Sequence, residues 1–415
     1  MATLQPYKKY NAVAYDYTTE LPDGWQLLPN IAIFQERKES GTENEENLTI
    51  SAIRGIVKST DYENRKDRTS DDKSQYLLVK EGDLAYNTML MWDGAVGHSS
   101  FRGIVSPAYT VLKAKLKINP KFFHYQMRTE FYKNYSRRFS YGIVDARLRL
   151  YYVHFKRMYS IVPPLEVQNS IVAYLDKKNS EIDKFIRNKG RLVELLEEEL
   201  DLFIVQKVNS LKVGWTNKKI KYASTVFRGK FTHRPRNDES LYDGEYPFIQ
   251  TGDVARAEKY ITNYSQTLNK LGYKVTTEFP KGTIVMTIAA NIGDVAILGF
   301  NACFPDSVVG FYPKKDVLND FLYYALKVKR NDFLQSAIVN TQMNLNVERV
   351  SSVFIDIPSF SEQKNIVFEI EEHEKYIYNA ISKAQKEISS IKEYREALIT
   401  DLVTGKRSVL QLQMN

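Results

Sequence analysis

The stretch VPPLEVQNSIVAYL at residues 162–175 returns as IPSFSEQKNIVFEI at residues 357–370, an offset of 195. In each copy a proline, Pro163 or Pro358, ends an extended run, Gln168 or Gln363 follows, and a helical pattern begins. In the first copy a three-four spacing joins Val172, Leu175, Asn179, Ile182, Ile186, Lys189, Val193, Leu196, Leu200 and Phe203. The offset carries these to Val367, Ile370, Glu374, Ile377, Ile381, Ala384, Ile388, Ile391, Arg395 and Leu398. Sixteen of these twenty positions are apolar while Glu, Lys, Asp, Asn and Ser fill the intervals, so each copy reads as the heptad seam of a coiled coil.

Each seam covers about 32 residues, a rod of roughly 45–50 Å at about 1.5 Å per residue. An isolated helix of that kind would leave its stripe in water, so the two are expected to pair. The pairing residues are Leu175, Ile182, Ile186, Val193 and Leu196 on one helix and Ile370, Ile377, Ile381, Ile388 and Ile391 on the other. The segment between them, residues 211–356, is long enough to join the rod ends in an antiparallel arrangement. Asn179, Lys189, Glu374 and Arg395 interrupt the seam, either as polar residues reaching solvent along their stems or as determinants of register.

Fainter echoes carry the repeat into the flanking segments. Gly24-Trp25 in LPDGWQLL matches Gly214-Trp215 in LKVGWTNK. EGDLAYNTMLMWDGAVGHS from Glu81 matches KGTIVMTIAANIGDVAILG from Lys281 in its order: turn glycine, apolar strand, Asp93-Gly94 or Ile292-Gly293, second strand. FFHYQMRTEFYKNY and DFLYYALKVKRNDFL each read as one amphipathic helix. The expected fold class is α+β, with two α/β domains at 1–160 and 211–356. They are separated by an antiparallel pair of long coiled-coil helices, a central one at 161–210 and a distal one within 357–415 that ends in a tail, all from an internal duplication.

The 415 residues carry 58 Lys and Arg against 50 Asp and Glu, a formal charge of +8, and the surplus is local. Residues 101–160 hold 13 basic and 2 acidic side chains, and residues 212–236 hold 8 basic and none acidic. Such fields favour polyanions through counterion release, although a solvated basic face has the same composition. With 43% hydrophobic and 13% aromatic residues, the chain has the apolar surface to fold. No run approaches the ~18 apolar residues of a membrane span. The start, MATLQPYKKYNAVAYDY, lacks a signal-type apolar core, and the single cysteine, Cys303, excludes an internal disulfide framework. A cytoplasmic protein without membrane contact is expected.

No Gly-x-x-x-x-Gly-Lys-Ser/Thr and no Gly-x-Gly-x-x-Gly opens a helix, and Thr404-Gly405-Lys406 lacks the upstream glycine. His98, His124, His154, His233 and His373 lack metal-site spacing, and no Asn-Pro-Pro-Phe/Tyr is present to hold a flipped adenine. Pro22-Asp23 followed by Glu36-Arg37-Lys38 fits the loose pattern of metal-dependent nucleases, but Pro22-Asp23-Gly24 reads more simply as a turn. The expectation is a binder with no catalytic residues and no metal site of its own.

The doubled Pro-x-x-x-x-Gln blocks, the terminal ALITDLVTGKR, the LPDGW entry and YLLVKEGDLAYNTMLMWDGAVGHSSFRGIVSPAYTVL from Tyr76 carry a family likeness. Together they resemble the specificity subunit of type I restriction-modification systems over essentially the whole chain. There are departures: Val167-Gln168 stands where Glu-Gln is common, and the first copy ends IVQKVNS in place of IxxxVTGK. The resemblance implies two target-recognition domains that each read one half of a split double-stranded DNA sequence, with the helical pair setting their spacing. It also implies docking of two modification subunits, adenine N6-methyltransferases that bring S-adenosylmethionine, and of a restriction subunit that completes a nuclease using ATP and Mg. This chain itself would hold no cofactor.

On that reading, phosphate contacts come from the basic stretches and base discrimination from Arg, Asn or Gln on loops. The first domain offers Arg102, Arg137, Arg138, Arg147 and Arg149, flanking the Ser140-Tyr141-Gly142 turn. The second offers Arg228, Lys230, Arg234 and Arg236 within FRGKFTHRPR, with Asn291 and Gln342 as base readers. A coiled-coil scaffold whose basic domains hold RNA or proteins is the competing reading; it explains the seams but not the positive charge in both globular segments. A nuclease acting through Asp23 and Glu36 is the third.

Overall fold

The computed structural model describes residues 4–409 apart from 16–17, 43, 53, 62–72, 143–147, 210–212 and 340–342, with backbone alone at 338–339 and 343–344. Two compact units emerge, one of residues 1–189 with 386–415 and one of residues 190–385.

The two seams are helices of 44 residues each, a central one at Leu165–Val208 and a distal one at Phe360–Val403, and they pair antiparallel. Within the first unit Lys189 meets Glu387 at 2.6 Å and Asp183 meets Arg395 at 2.5 Å. Within the second, Lys207 pairs with Glu369 and Phe203 stacks on His373 at 4.1 Å between ring centres. One residue number falls as the other rises, as opposed directions require. Lys189 and Arg395, two of the polar interruptions, are therefore register pairs across the seam.

Burial along the seam is uneven. Leu175, Ile182, Ile370, Ile377 and Ile381 are buried, whereas Ile186, Val193, Leu196, Ile388 and Ile391 are half-buried. Val172 and Leu175 share the first unit's core with Leu398, Leu402 and Val403, and Ile370, Ile377 and Ile381 share the second's with Leu200, Ile204 and Val208. Each fully buried aliphatic contributes about 1.5–3 kcal/mol from removal of apolar surface. The stripes thus serve as domain core where they meet globular elements and as a two-helix seam elsewhere.

Each unit contains the same antiparallel sheet. In the first the order is Phe34–Glu36, Tyr109–Ala114, Leu84–Asn87, Val96–His98. In the second it is Ser224–Arg228, Val308–Pro313, Ile284–Thr287, Val295–Leu298, with Tyr260–Ile261 added in parallel at the edge. The Gly-Trp entries also correspond: Gly24 and Gly214 have φ of +80° and +91°. Each precedes a strand, Gln26–Pro29 or Thr216–Lys219, that forms a two-stranded ribbon with the strand leading into the long helix, Tyr159–Val162 or Phe354–Ile357. The left-handed backbone at that turn is open to glycine at little cost.

The repeated glutamine has a structural task that the sequence did not disclose. Gln168 Nε2 donates to the Pro163 carbonyl at 2.7 Å while its Oε1 accepts from Asn119 N at 2.8 Å. Gln363 does the same with the Pro358 carbonyl at 3.0 Å and Leu318 N at 2.7 Å. Each buried amide ties the start of a long helix to the first turn of a domain helix, satisfying an N–H that has no partner within that helix. Further along, Asp176 takes Lys121 at 2.7 Å and its counterpart Glu371 takes Lys259 at 2.7 Å. Burial alone would lower the Lys259 pKa, but Glu371 and Asp320 hold it above the ordinary lysine value. Asn179 and Glu374, the other two polar interruptions, bond the hydroxyls of Tyr125 and Tyr324.

Each segment read as one amphipathic helix is instead two. Pro120–Met127 stops before Thr129, whose hydroxyl accepts from Tyr132 N and starts Glu130–Arg138; Asn319–Lys327 is likewise followed by Arg330–Ser336. In the first unit the Thr129 side-chain cap nucleates the second helix, in the second unit Lys329 starts it without one, and neither break disturbs the apolar period, so periodicity alone does not register it. Among the described residues no helix is long and apolar enough to cross a membrane.

Candidate nucleic-acid interface

In the first unit the strand Leu84–Asn87 runs out into a turn that holds the short 3-10 helix Met91–Asp93 and closes at Gly94, φ +84°. Two other loops fasten to it: Thr88 N donates to the Ala108 carbonyl at 3.1 Å, and Leu150 N donates to the Thr88 carbonyl at 2.8 Å. Beside Leu150, Arg149 and Tyr141 exchange both backbone hydrogen bonds, and Tyr141 lies against His154 with ring centres 4.2 Å apart. The Arg137 guanidinium sits 5.6 Å over the Trp92 ring. Arg137 and Arg138 close the helix Glu130–Arg138, where the negative end of the helix dipole favours cations.

The second unit builds the same three-loop cluster. Ile288 N donates to the Ser307 carbonyl at 3.0 Å, and Leu345 N donates to the Ile288 carbonyl at 3.0 Å. The turn after Ile288 places Ala290 at φ +63°, a conformation few residues other than glycine adopt, and exposes Asn291. Next to Ser307, Asp306 gathers three arginines: Arg228 Nε donates to its carbonyl at 2.6 Å, Arg234 reaches its carboxylate at 3.3 Å, and Arg236 pairs with the same carboxylate. One carboxylate among three guanidinium groups leaves a local positive excess. Arg330 pairs with Asp294 at 3.0 Å; burial raises the Asp294 pKa and Arg330 opposes that rise.

The structure therefore brings Arg137, Arg138 and Arg149 to one loop cluster and Arg228, Arg234, Arg236 and Asn291 to its counterpart, with exposed Lys230 two residues from Arg228. Arg102 is not among them. It lies on the loop at the other end of the strand Val96–His98 and pairs with Glu45 at 2.8 Å, away from the Ser140-Tyr141-Gly142 turn. Arg147 and Gln342 lie outside the described residues. Sequence reasoning missed Asp306, which collects the arginines, and the exposed Met89 and Leu90. Nothing in their local sequence marks them; their position comes from the loops that meet.

The residues of the nuclease-like pattern take separate partners. Asp23 accepts from Asn11 at 2.9 Å, Glu36 pairs with Lys38 at 3.4 Å, and Arg37 turns inward on the buried Asp83 through bonds of 2.7 and 2.9 Å. Among the described residues no three His, Cys, Asp or Glu side chains gather where they could hold a metal ion.

Comparison with known proteins finds a likeness over the second unit. Residues 212–389 match the type I restriction modification DNA specificity domain. The match covers less than half of the chain. The MjaIX type I restriction enzyme specificity subunit of Methanocaldococcus jannaschii is 30% identical over 186 residues, 44% of this chain and 42% of the relative, so the chain matches less than half the length of that protein. Two solved structures share the fold. One, from work on complex assembly and conformational transition of the type I R-M system, aligns with TM-score 0.73 at 14% identity, over 93% of this chain and 99% of the other. The HsdS subunit of Thermoanaerobacter tengcongensis aligns with TM-score 0.56 at 15% identity, over 95% and 99%. The specificity domain at 212–389 includes the second loop cluster, and the first unit repeats its sheet order and its three-loop junction.

Proposed function

We propose that this chain is the DNA-reading subunit of a type I restriction-modification complex, working in the cytoplasm. Each globular domain reads one half of a bipartite double-stranded target through its three-loop cluster, and the helical pair fixes the length of the unread gap. The chain supplies no catalytic group. Two adenine N6-methyltransferase subunits dock on it with S-adenosylmethionine, and a restriction subunit brings ATP and Mg. The observation that carries this reading is the repetition of one loop junction, bearing Arg137, Arg138 and Arg149 in the first unit and Arg228, Arg234 and Arg236 in the second. Guanidinium groups on loops suit both phosphate contact and bidentate contact to guanine.

Sequencing the methylated adenines of a host that carries this chain and its partner subunits tests the proposal. The expected result is a split motif with two defined halves and a fixed gap, lost when the gene is deleted. A methylation pattern unchanged by deletion refutes it, and selective retention of RNA or protein in place of duplex DNA favours the scaffold.

A further inference from the structure

The turn at residues 88–94 of the first unit presents an apolar tip that the cations around it do not explain. Met89 and Leu90 are 37% and 38% exposed on a firmly held base: Met91 is fully buried, Met89 N donates to Asn87 Oδ1 at 2.9 Å, and Trp92 Nε1 donates to the Met89 carbonyl at 2.8 Å. Each leaves more than a third of its surface in water, an apolar exposure that opposes solubility. The matching turn of the second unit has Ala289, Ala290 and Asn291 after Ile288. Beside the tip, Arg137 lies over Trp92, and the Leu150–Thr88 bond brings up Arg149 and the exposed Tyr151, with exposed Tyr141 paired to Arg149.

An apolar point flanked by arginines is complementary to a ligand with an anionic rim and a stacked interior, which is a nucleic-acid duplex. Methionine and leucine are among the side chains that enter between base pairs and unstack them. We propose that Met89 and Leu90 form a wedge that opens one base step in the half-site read by the first unit. That half-site is then selected partly by how readily the step deforms. The second unit, with no such tip, reads its half without unstacking. The inference rests on the DNA-reading function proposed above and adds to it a mode of recognition.

The test uses the full chain with its modification subunits and a duplex carrying the sequence methylated in the host, with 2-aminopurine placed at successive positions. The methylated adenine is left out, because a base turned out for methylation brightens the probe by itself. On binding, one step in one half-site should brighten severalfold. Met89→Ser with Leu90→Ser should abolish the brightening and weaken binding without changing its salt dependence, since every cation that faces phosphate stays in place. Met89→Leu with Leu90→Met should keep it. A bound duplex that brightens nowhere, or brightening that survives in the serine variant, overturns the wedge and leaves DNA reading intact. Failure of the wild-type complex to hold the duplex overturns both.

Discussion

Ile377→Ala measures how firmly the helical pair is built. Ile377 is fully buried on the distal helix and shares its core with Leu200, Ile204, Ile370 and Ile381. Truncation removes three carbons, about 2.5 kcal/mol at roughly 0.8 kcal/mol per buried methylene. The cavity left behind raises the loss to about 3–4 kcal/mol, within the usual ~2–5 kcal/mol for this change. Ile388→Ala deletes the same atoms from a half-buried position on the same helix and should cost about 1 kcal/mol. For a unit of this size each kcal/mol moves the midpoint roughly 2–4 °C, so the two variants should differ by several degrees in thermal unfolding. Hydrogen exchange should show Ile377→Ala exposing backbone in 190–208 as well as in 360–385, because the segments pack on each other. Equal small losses for both variants, or exposure confined to the distal helix, would refute the pairing.

Two further outcomes follow. Replacing Arg234 and Arg236 together by Ala should lower the slope of log affinity against log salt by about 2, one unit for each phosphate left without its cation; an unchanged slope in a filter-binding titration removes both from the phosphate-contacting set. His124 is buried among Arg128, His98 and Lys121, and burial followed by those cations holds its pKa well below the ordinary 6.5. The unfolded chain then binds more protons than the folded one at mildly acid pH, so the stability tied to this neutral imidazole is complete above about 6.5 and falls as the pH drops below it. Thermal midpoints of the first unit should decline between about pH 7 and 5, less steeply in His124→Gln; identical profiles would contradict the assignment.

The long helices were readable because their burial follows a period: Ile370, Ile377 and Ile381, spaced by seven and four residues, lie on one helix face. The duplicated glutamine was visible as a repeat but not as a fastener, since its partners Asn119 and Leu318 lie 49 and 45 residues away in sequence. The candidate interface was legible only in its charges. Arg234 and Arg236 stood out by composition, whereas their meeting on Asp306, 72 and 70 residues further along, depends on strand pairing. Arg102 shares the charge but lies on another loop, because a three-residue strand separates it from the turn at 88–94. Met89 and Leu90 sit in a stretch whose sequence shows a strand before a turn, and their exposure appears only with the 3-10 helix Met91–Asp93 and its buried Met91.

A heptad inserted into both helices, after Lys189 and before Glu387 where the two face each other, keeps the seam in phase and lengthens the pair by about 10.5 Å. At roughly 3.4 Å per base pair, the gap in the host's methylated motif should grow by about three base pairs while both half-site sequences stay the same. A motif with its gap unaltered would contradict a helical pair that spaces two DNA-reading domains.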